Sequence, residues 1–324
     1  MIPPWAAVPP GSQDLLGADV RRRRWLQRTF FGLAEARGYA EVIPPTFEYE
    51  EVFVRAGGPE LAARLIRFFD RDGRVVALRA DFTAAIARIA ATRLVDAPLP
   101  LRLCYAGKVY RQEPDGVGRQ RELFQMGAEL IGAAGPEADL EVLRLTLAAM
   151  RAFGLENFRI DVGDTRFVRP LLAGADDATA AAVRRAIAQR NPAALATATA
   201  GLPAAARRAL GALPELVGRA DTLAEARRAV VHPEQAAALD HLEALADALT
   251  DDERARVVFD LGEVRGLDYY TGLQFELFVE GFGRAVGYGG RYDDLLALYG
   301  AARPAIGFAL ETDALAACAP SREP

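Results

Sequence analysis

The alternation of apolar and polar positions predicts a helix near the start of the chain and another near its middle. Between residues 19 and 38, apolar side chains recur at roughly helical spacing, and Gly38 is a suitable C-terminal stop. These apolar side chains are Trp25, Leu26, Phe30 and Leu33. Residues 137–153 show the same amphipathic pattern, so we predict a second helix there.

Short apolar runs of strand length, separated by turn residues, occupy much of the remaining chain. One hairpin is predicted to turn at Asp72-Gly73, with a strand ending near Leu78 and a helix opening after Asp81. A short strand runs into Pro44-Pro45, which favours an edge position. Further strands are predicted in LRLCYAGKVYRQE, LFQMGAELIG, NFRIDVGD, ARVVFDLGE, QFELFVEG and RAVGYGGRYDDLL. Because helices do not alternate regularly with strands, we predict an α+β fold with an antiparallel or mixed sheet and helices on one side.

The composition changes between residues 168 and 252, where aromatic residues are sparse and alanine is abundant. This segment reads as several short helices, broken at Asn191-Pro192 and again at residues 201–203. We predict an inserted helical subdomain here, within a core domain formed by residues 1–167 and 253–318.

Composition narrows the possible functions. The chain has 324 residues, of which 51% are hydrophobic, and its net charge of −5 argues against a general nucleic-acid binder. Cys104 and Cys318 lie far apart without a CxxC motif, so we predict neither a disulfide framework nor a zinc site. His232 and His241 lie outside the polar clusters, and we expect surface or helix-packing roles for them. With no signal peptide or spanning segment visible, we expect a cytoplasmic protein. Because the chain has only two histidines, we expect no metal, and we expect no cofactor.

Four polar clusters on or beside predicted strands contain the candidate functional residues. They are Arg79, Asp81 and Thr83; Arg111, Glu113, Arg119, Arg121, Gln125 and Glu129; the octapeptide RGLDYYTG with Arg265, Tyr269 and Tyr270; and Arg291, Tyr292 and Asp293.

The spacing of Gln125 and Glu129 places both on one face of a strand. A buried carboxylate needs a partner, and Arg265, Arg111 and Arg121 are candidates. Two interpretations remain open at this point. One is an internal salt-bridge network that locks the sheet. The other is a pocket for a small zwitterion, in which acids bind an ammonium group and an arginine binds a carboxylate.

The glycines of GYGG, Gly287 to Gly290, are better explained by a close approach of the backbone or a bulge than by phosphate binding. The segment lacks the GK[ST] ending of a phosphate loop.

In order and wording, these segments resemble the histidyl-tRNA synthetases, a family of class II aminoacyl-tRNA synthetases. VPPGSQDLLG resembles the opening of the family, and GYAEVIPPTFEYEEVF its motif 1, whose proline lies at a dimer interface. YRQEPDGVGRQRELFQMGAELIG resembles motif 2, and RGLDYYTGLQFE the histidine-specific signature. GGRYDDLLALYG and PAIGFAL resemble the approach to motif 3. The resemblance implies a class II synthetase-like mixed sheet flanked by helices, interrupted by the helical insertion.

The same resemblance implies a set of histidine-binding residues. They are Asp81, Thr83, Arg111, Gln125, Glu129, Arg265, Tyr269, Tyr270 and Tyr292. Asp81 and Thr83 would hold the α-amino group, and Gln125 would lie beside the amino and carboxylate groups. The family usually has glutamate at the position of Asp81, so the acid here is shorter.

The remaining roles concern the other end of the ligand. Arg265 would pair with the carboxylate of histidine. Glu129 and Tyr270 would bind the two imidazole nitrogens, and Tyr292 would close the pocket.

Several positions depart from the synthetase pattern. The motif 3 arginine that stacks on ATP falls at Ala314, and the glycine and acid of that motif are altered at Glu311 and Asp313. The histidine of motif 2 is replaced by Phe124. Because only ten residues follow Ala314, we expect no C-terminal anticodon-binding domain and no tRNA partner.

These departures, together with VVFDLGEVRGLDYYTG, resemble the synthetase-like regulatory subunits of ATP phosphoribosyltransferase. The resemblance implies a non-catalytic subunit, required by a short catalytic subunit in the first step of histidine biosynthesis and mediating feedback inhibition by histidine. It also implies a homodimer within a larger hetero-oligomer. The alternative is a truncated histidyl-tRNA synthetase that still forms histidyl-adenylate, since Arg111, Glu113 and Arg121 are retained.

Overall fold

The computed structural model describes residues 3–112, 120–263 and 270–320. Its α-helices are α1 (Ala18–Glu35), α2 (Glu50–Ala63), α3 (Thr83–Thr92), α4 (Pro136–Ala152), α5 (Thr165–Val168), α6 (Asp177–Ala188), α7 (Pro192–Ala198), α8 (Ala204–Ala212), α9 (Asp221–Ala226), α10 (Pro233–Ala248), α11 (Asp251–Arg254) and α12 (Thr312–Cys318). Its strands are β1 (Ala40–Glu41), β2 (Phe47–Tyr49), β3 (Arg67–Phe69), β4 (Val75–Leu78), β5 (Leu101–Tyr110), β6 (Glu122–Ile131), β7 (Phe158–Asp164), β8 (Val217–Gly218), β9 (Val257–Asp260), β10 (Leu273–Val279), β11 (Gly287–Arg291) and β12 (Ala305–Glu311). Short 3-10 helices lie at Pro4–Ala6, Arg169–Leu172, Leu213–Glu215, Arg227–Ala229 and Leu296–Tyr299.

The chain divides into two compact units. The first unit comprises Met1–Ala133, Arg144–Glu156 and Asp294–Pro324. The second unit comprises Ala134–Leu143 and Asn157–Asp293, and its described residues contain the alanine-rich helical segment together with five strands.

The first unit is built on strands in the order β1-β5-β6-β12. β1 pairs with β5 in parallel, whereas β5, β6 and β12 are antiparallel neighbours. A second, three-stranded sheet has the order β2-β4-β3. Helix α1 covers one face of the larger sheet, where the rings of Phe30 and Phe308 meet edge to face at 6.1 Å between centroids.

The second unit orders its strands β11-β10-β7-β9-β8. β10 is antiparallel to both β11 and β7, whereas β7 and β9 are parallel. A parallel pair requires a long crossover connection. Here the crossover is the helical segment α5–α11 with the short strand β8, which leaves β7 at Asp164 and returns to β9 at Val257.

Local sequence signals set the element ends as expected. Helix α1 stops before Gly38, which adopts a left-handed conformation with φ of 79°. The hairpin between β3 and β4 turns at Asp72-Gly73, where the Asp72 side chain accepts a hydrogen bond from the Arg74 amide. The helical segment breaks at Asn191, whose side chain caps α7 ahead of Pro192.

The predicted α+β class and mixed sheet are confirmed within each unit. β1 lies at the end of the strand order of its sheet, in agreement with the edge position predicted ahead of Pro44-Pro45. No helix in the described ranges is long and apolar enough to cross a membrane.

Candidate functional site

The start of helix α3 positions two of the candidate residues in the first unit. After β4 ends at Leu78, the chain turns into α3 at Thr83. Oδ1 of Asp81 accepts a hydrogen bond of 3.0 Å from the Ala84 amide, which satisfies one of the N–H groups at the helix start. The acid at this position therefore anchors the helix that carries Thr83.

Glu129 lies on β6 and is connected to Thr83. The Thr83 hydroxyl donates a hydrogen bond of 2.8 Å to Oε1 of Glu129, whose side chain is almost fully buried. Opposite it on β12 is Gly307, where an added Cβ would overlap the Glu129 carboxylate. A glycine at this strand position thus leaves the space that the carboxylate occupies.

Arg111 lies beside Asp81, and Gln125 lies on the same strand as Glu129. Gln125 is buried on β6 and shares the face of Glu129, as the even spacing predicted. Nε of Arg111 donates 2.8 Å to the Ala80 carbonyl, and the Arg111 charge acts on Asp81. The first unit therefore brings together Asp81, Thr83, Arg111 and Glu129, with Gln125 on the same strand face as Glu129, and we call these five residues the acid cluster.

Burial dominates the electrostatics of Asp81. It raises the pKa of the carboxyl above its ordinary value, while the Ala84 hydrogen bond and the Arg111 charge act in the opposite direction without cancelling the rise. A cation delivered to Asp81 would restore the charged form, so this carboxyl is suited to an ammonium group.

Arg79, a member of the same sequence cluster, has a structural role. Its guanidinium donates to the carbonyls of Pro44, Pro45 and Lys108 and lies over the Phe82 ring, 4.1 Å from its centroid. Burial lowers the pKa of this guanidinium. Arg79 therefore holds the Pro44-Pro45 segment against the strand ends that support the acid cluster.

Two further candidates lie in the second unit. The ring of Tyr270 packs against Gly290 of β11, where an added Cβ would approach its Cδ1 to 2.8 Å. The close backbone approach predicted for GYGG is therefore confirmed at Gly290. Tyr292 follows β11 and is buried. Arg265 and Tyr269, like Glu113 and Arg119, lie outside the described residues.

A buried ionic network in the second unit was missed by the sequence analysis. Nε and Nη2 of Arg291 donate to Oδ1 of Asp139, and Nε2 of His241 lies 2.7 Å from Oδ2. Asp139 is fully buried, Arg291 is nearly so, and His241 is partly buried. The expectation that neither histidine lies in a polar cluster is wrong for His241, whereas His232 caps helix α10.

The helical pattern contained a signal for this network. Asp139 is three and four positions before buried Val142 and Leu143, and His241 is four positions before buried Leu245. Polar residues on an apolar helix stripe need buried partners.

The altered motif 3 positions lie on β12 and α12 of the first unit. Ala314 is buried, and Oδ1 of Asp313 forms an ion pair of 2.5 Å with Nη2 of Arg23. Oδ2 of Asp313 accepts 3.2 Å from the amide of Phe124. Within the described ranges, no group of three or more His, Cys, Asp or Glu side chains is arranged to hold a metal ion.

Comparison with known proteins agrees with the resemblance carried by the motifs. The histidyl-tRNA synthetase family model matches residues 11–315. The ATP phosphoribosyltransferase regulatory subunit of Thiobacillus denitrificans is 41% identical over 94% of this chain and 95% of the relative. That of Geobacter sulfurreducens is 39% identical over 96% of this chain and 72% of the relative. A crystal structure from Bacillus halodurans, described as an ATP phosphoribosyltransferase regulatory subunit/histidyl-tRNA synthetase, superposes with a TM-score of 0.89 and 30% identity, covering 99% of this chain and 85% of that one. The chain therefore belongs to the family of ATP phosphoribosyltransferase regulatory subunits, which share the class II fold of histidyl-tRNA synthetase.

Proposed function

We propose that this chain binds free histidine and, without catalytic activity of its own, transmits that binding to a catalytic ATP phosphoribosyltransferase subunit. The observation that carries the proposal is the acid cluster of the first unit. Its two acids are linked through one helix start, because Asp81 accepts a hydrogen bond from the Ala84 amide in the first turn of α3 and Thr83 of the same turn donates to Glu129.

The chemistry of the acid cluster suits an amino acid with a basic side group. Asp81 and Thr83 provide oxygens for an ammonium group, and the buried carboxylate of Glu129 suits an imidazole N–H. Burial strengthens both interactions, because water competes less for the charged groups. The resemblance assigns further ligand contacts to Arg265, Tyr269, Tyr270 and Tyr292, and these assignments belong to the same proposal.

Adenylate formation is not part of the proposed function. A guanidinium that stacks on ATP is replaced at Ala314 by a buried methyl group, which can neither stack nor carry charge. The acid nearby, Asp313, is engaged by Arg23 and the Phe124 amide, so it serves the packing of α1 against α12.

Feedback regulation follows if histidine binds unequally to active and inhibited assemblies. Only a difference in affinity between two states can shift their populations. The coupling must also be reciprocal, so substrates of the catalytic partner should change the affinity for histidine. We further propose a homodimer within the hetero-oligomer, with the exposed side chain of Ile43 and the following prolines at its interface.

A reconstitution experiment tests the proposal. The chain is mixed with a short catalytic subunit, and transferase activity is measured with and without histidine, for the wild type and for Glu129→Gln. We expect histidine to inhibit the wild-type complex and to inhibit the variant much less. Glu122→Gln is the matched control, because Glu122 lies on the same strand and pairs with Lys108. If histidine does not change the transferase activity of the wild-type complex, the proposal is contradicted.

The alternative, a histidyl-adenylate-forming enzyme, gives an opposite result in a second assay. With ATP, Mg²⁺, histidine and labelled pyrophosphate, we expect no exchange of label into ATP. Histidine-dependent exchange would establish the synthetase activity instead.

A further inference from the structure

The buried network of Arg291, Asp139 and His241 adjoins Tyr270 and Tyr292, two of the residues assigned to the ligand. Arg291 ends β11 and precedes Tyr292. The Arg291 carbonyl accepts 2.7 Å from the amide of Thr271, the residue after Tyr270. The Thr271 hydroxyl in turn accepts 2.9 Å from the Asp293 amide. The backbone around Arg291 therefore holds both tyrosine-bearing segments in one arrangement.

The side chain of Arg291 is fixed from three directions. It donates to Asp139 in the first turn of α4, to Oδ1 of Asp293 at 3.1 Å, and to the Gly135 carbonyl at 3.4 Å. Burial alone would lower the pKa of this guanidinium, but the two carboxylates outweigh burial and raise it, so the group stays charged. A charged and multiply bonded arginine leaves its own backbone little freedom.

Asp139 extends the network to the helical segment. One carboxylate oxygen is taken by Arg291 and the other by His241 of helix α10. His241 and Asp139 are 102 positions apart in sequence. A displacement of α10 would therefore move the Asp139 carboxylate through His241, and the Asp139 carboxylate also holds Arg291.

We infer that Arg291 is a positioning residue that, anchored by Asp139 and His241, sets the Tyr270-Thr271 and Tyr292 segments for ligand binding and ties them to helix α10. The inference rests on the proposed binding of histidine and adds a route by which the helical segment responds to the ligand. Neither Asp139 nor His241 is assigned a ligand contact, so their effect on binding is indirect.

Two measurements on the full chain test the inference. Hydrogen exchange of the Thr271 and Asp293 amides reports the geometry without ligand, and calorimetry reports the dissociation constant for histidine. For Asp139→Asn we expect exchange at both amides to be about tenfold faster and histidine binding about tenfold weaker, since hydrogen bonds to charged groups are among the stronger ones. Asp240→Asn is the matched control, because Asp240 precedes His241 on α10 and pairs with Arg227 at the surface.

A second pair of variants separates positioning from folding. His241→Ala removes the contact to Asp139 but leaves the Arg291 pair, and it should weaken binding. His241→Gln can still donate to the carboxylate and should restore affinity towards that of the wild type. This pair decides the matter even if Asp139→Asn does not fold.

Two outcomes would overturn the inference. One is unchanged exchange at Thr271 and Asp293 in folded Asp139→Asn and His241→Ala. The other is faster exchange with an unchanged dissociation constant, which would make the network structural only. A wild-type protein that takes up no histidine would instead refute the proposed function, and the exchange rates would still show whether the network holds these segments.

Discussion

Two aspartates, one in each unit, show how differently an acid at a helix start can be used. Asp81 and Asp139 both lie at the start of a helix. Asp81 accepts a hydrogen bond from a backbone amide, and burial raises its pKa. Asp139 has its two oxygens taken by Arg291 and His241. Asp139 already has its charge partner within the unit, and it therefore has a structural role. Burial disfavours the charged form of Asp81, so Asp81 gains most from a cationic ligand.

The largest effect is expected when the ion pair between Arg291 and Asp139 is removed. Arg291→Met leaves the Asp139 carboxylate buried without its main cation, so we expect the free energy of unfolding to fall by about 3–5 kcal/mol. Urea denaturation measures the change. Arg227→Met is the control, because Arg227 pairs with Asp240 and Glu243 at the surface, where ion pairs contribute little. Equal stability of the two variants would show that Asp139 needs no charge partner.

The next effect concerns the space in which the Glu129 carboxylate lies. Gly307→Ala places a methyl group where that carboxylate is, so we expect a loss of about 1–3 kcal/mol in stability, as in other overpacked cores. Displacing the acid should also weaken histidine binding in calorimetry. Gly32→Ala is the control, because an added Cβ at Gly32 of α1 meets nothing within 4 Å. If Gly307→Ala binds histidine like the wild type, Glu129 makes no ligand contact.

Asp81 predicts a pH dependence with a definite sign. Its pKa in the folded protein lies above the ordinary 3.8, so between these two values the folded state binds the proton more tightly than the unfolded chain does. Ionisation therefore costs the folded state free energy as the pH rises through this window, and the cost is absent at lower pH. For the ligand the direction is reversed, because only the ionised carboxylate attracts the ammonium group, so histidine affinity should fall as the pH is lowered through the raised pKa.

Asp81→Asn isolates this contribution. The side-chain oxygen of asparagine can still accept the hydrogen bond from the Ala84 amide, so α3 should remain intact while the charge is lost. We expect histidine binding at neutral pH to weaken by about 1.5–3 kcal/mol, the usual range for a hydrogen bond to a charged group. Calorimetry at a series of pH values from neutral down towards 3.8 would record the two profiles. Parallel profiles for wild type and variant would mean that another group causes the pH dependence.

The smallest effect is expected from the hydroxyl that joins α3 to β6. Thr83→Val removes the donor to Glu129 and should lower stability by about 1 kcal/mol, with a modest loss of histidine affinity. Thr92→Val on the same helix is the control, since the Thr92 hydroxyl bonds an exposed backbone carbonyl within α3. Thermal unfolding and calorimetry on both variants give the comparison, and identical behaviour would show that this hydroxyl contributes nothing to Glu129.

Sequence reasoning worked where the signal is local. The turn at Asp72-Gly73, the end of α1 before Gly38 and the helix break at Asn191-Pro192 all depend on backbone preferences within a few residues. The shared face of Gln125 and Glu129 followed from strand periodicity for the same reason.

Reasoning from sequence failed where partners are distant along the chain. The sequence around Asp139 does not indicate that His241 and Arg291 are its partners. An acid in the first turn of a helix is also expected without any partner, because it interacts favourably with the helix dipole. The hydroxyl of Thr83 as a donor to Glu129 was likewise not expected, because arginines were the obvious partners for a buried carboxylate. Long-range pairing of polar groups is decided by tertiary packing, which the local pattern does not encode.

The parallel pairing of β7 with β9 has a consequence for how the second unit is made. The two strands pair directly in the sheet, yet all of α5–α11 lies between them in the sequence. Closing so long a connection costs chain entropy before the pairing returns any stability. We therefore expect β9 to pair with β7 late in folding, after helices α5–α11 have packed. During synthesis, the edge of β7 that pairs with β9 would then stay unpaired until these helices have been made.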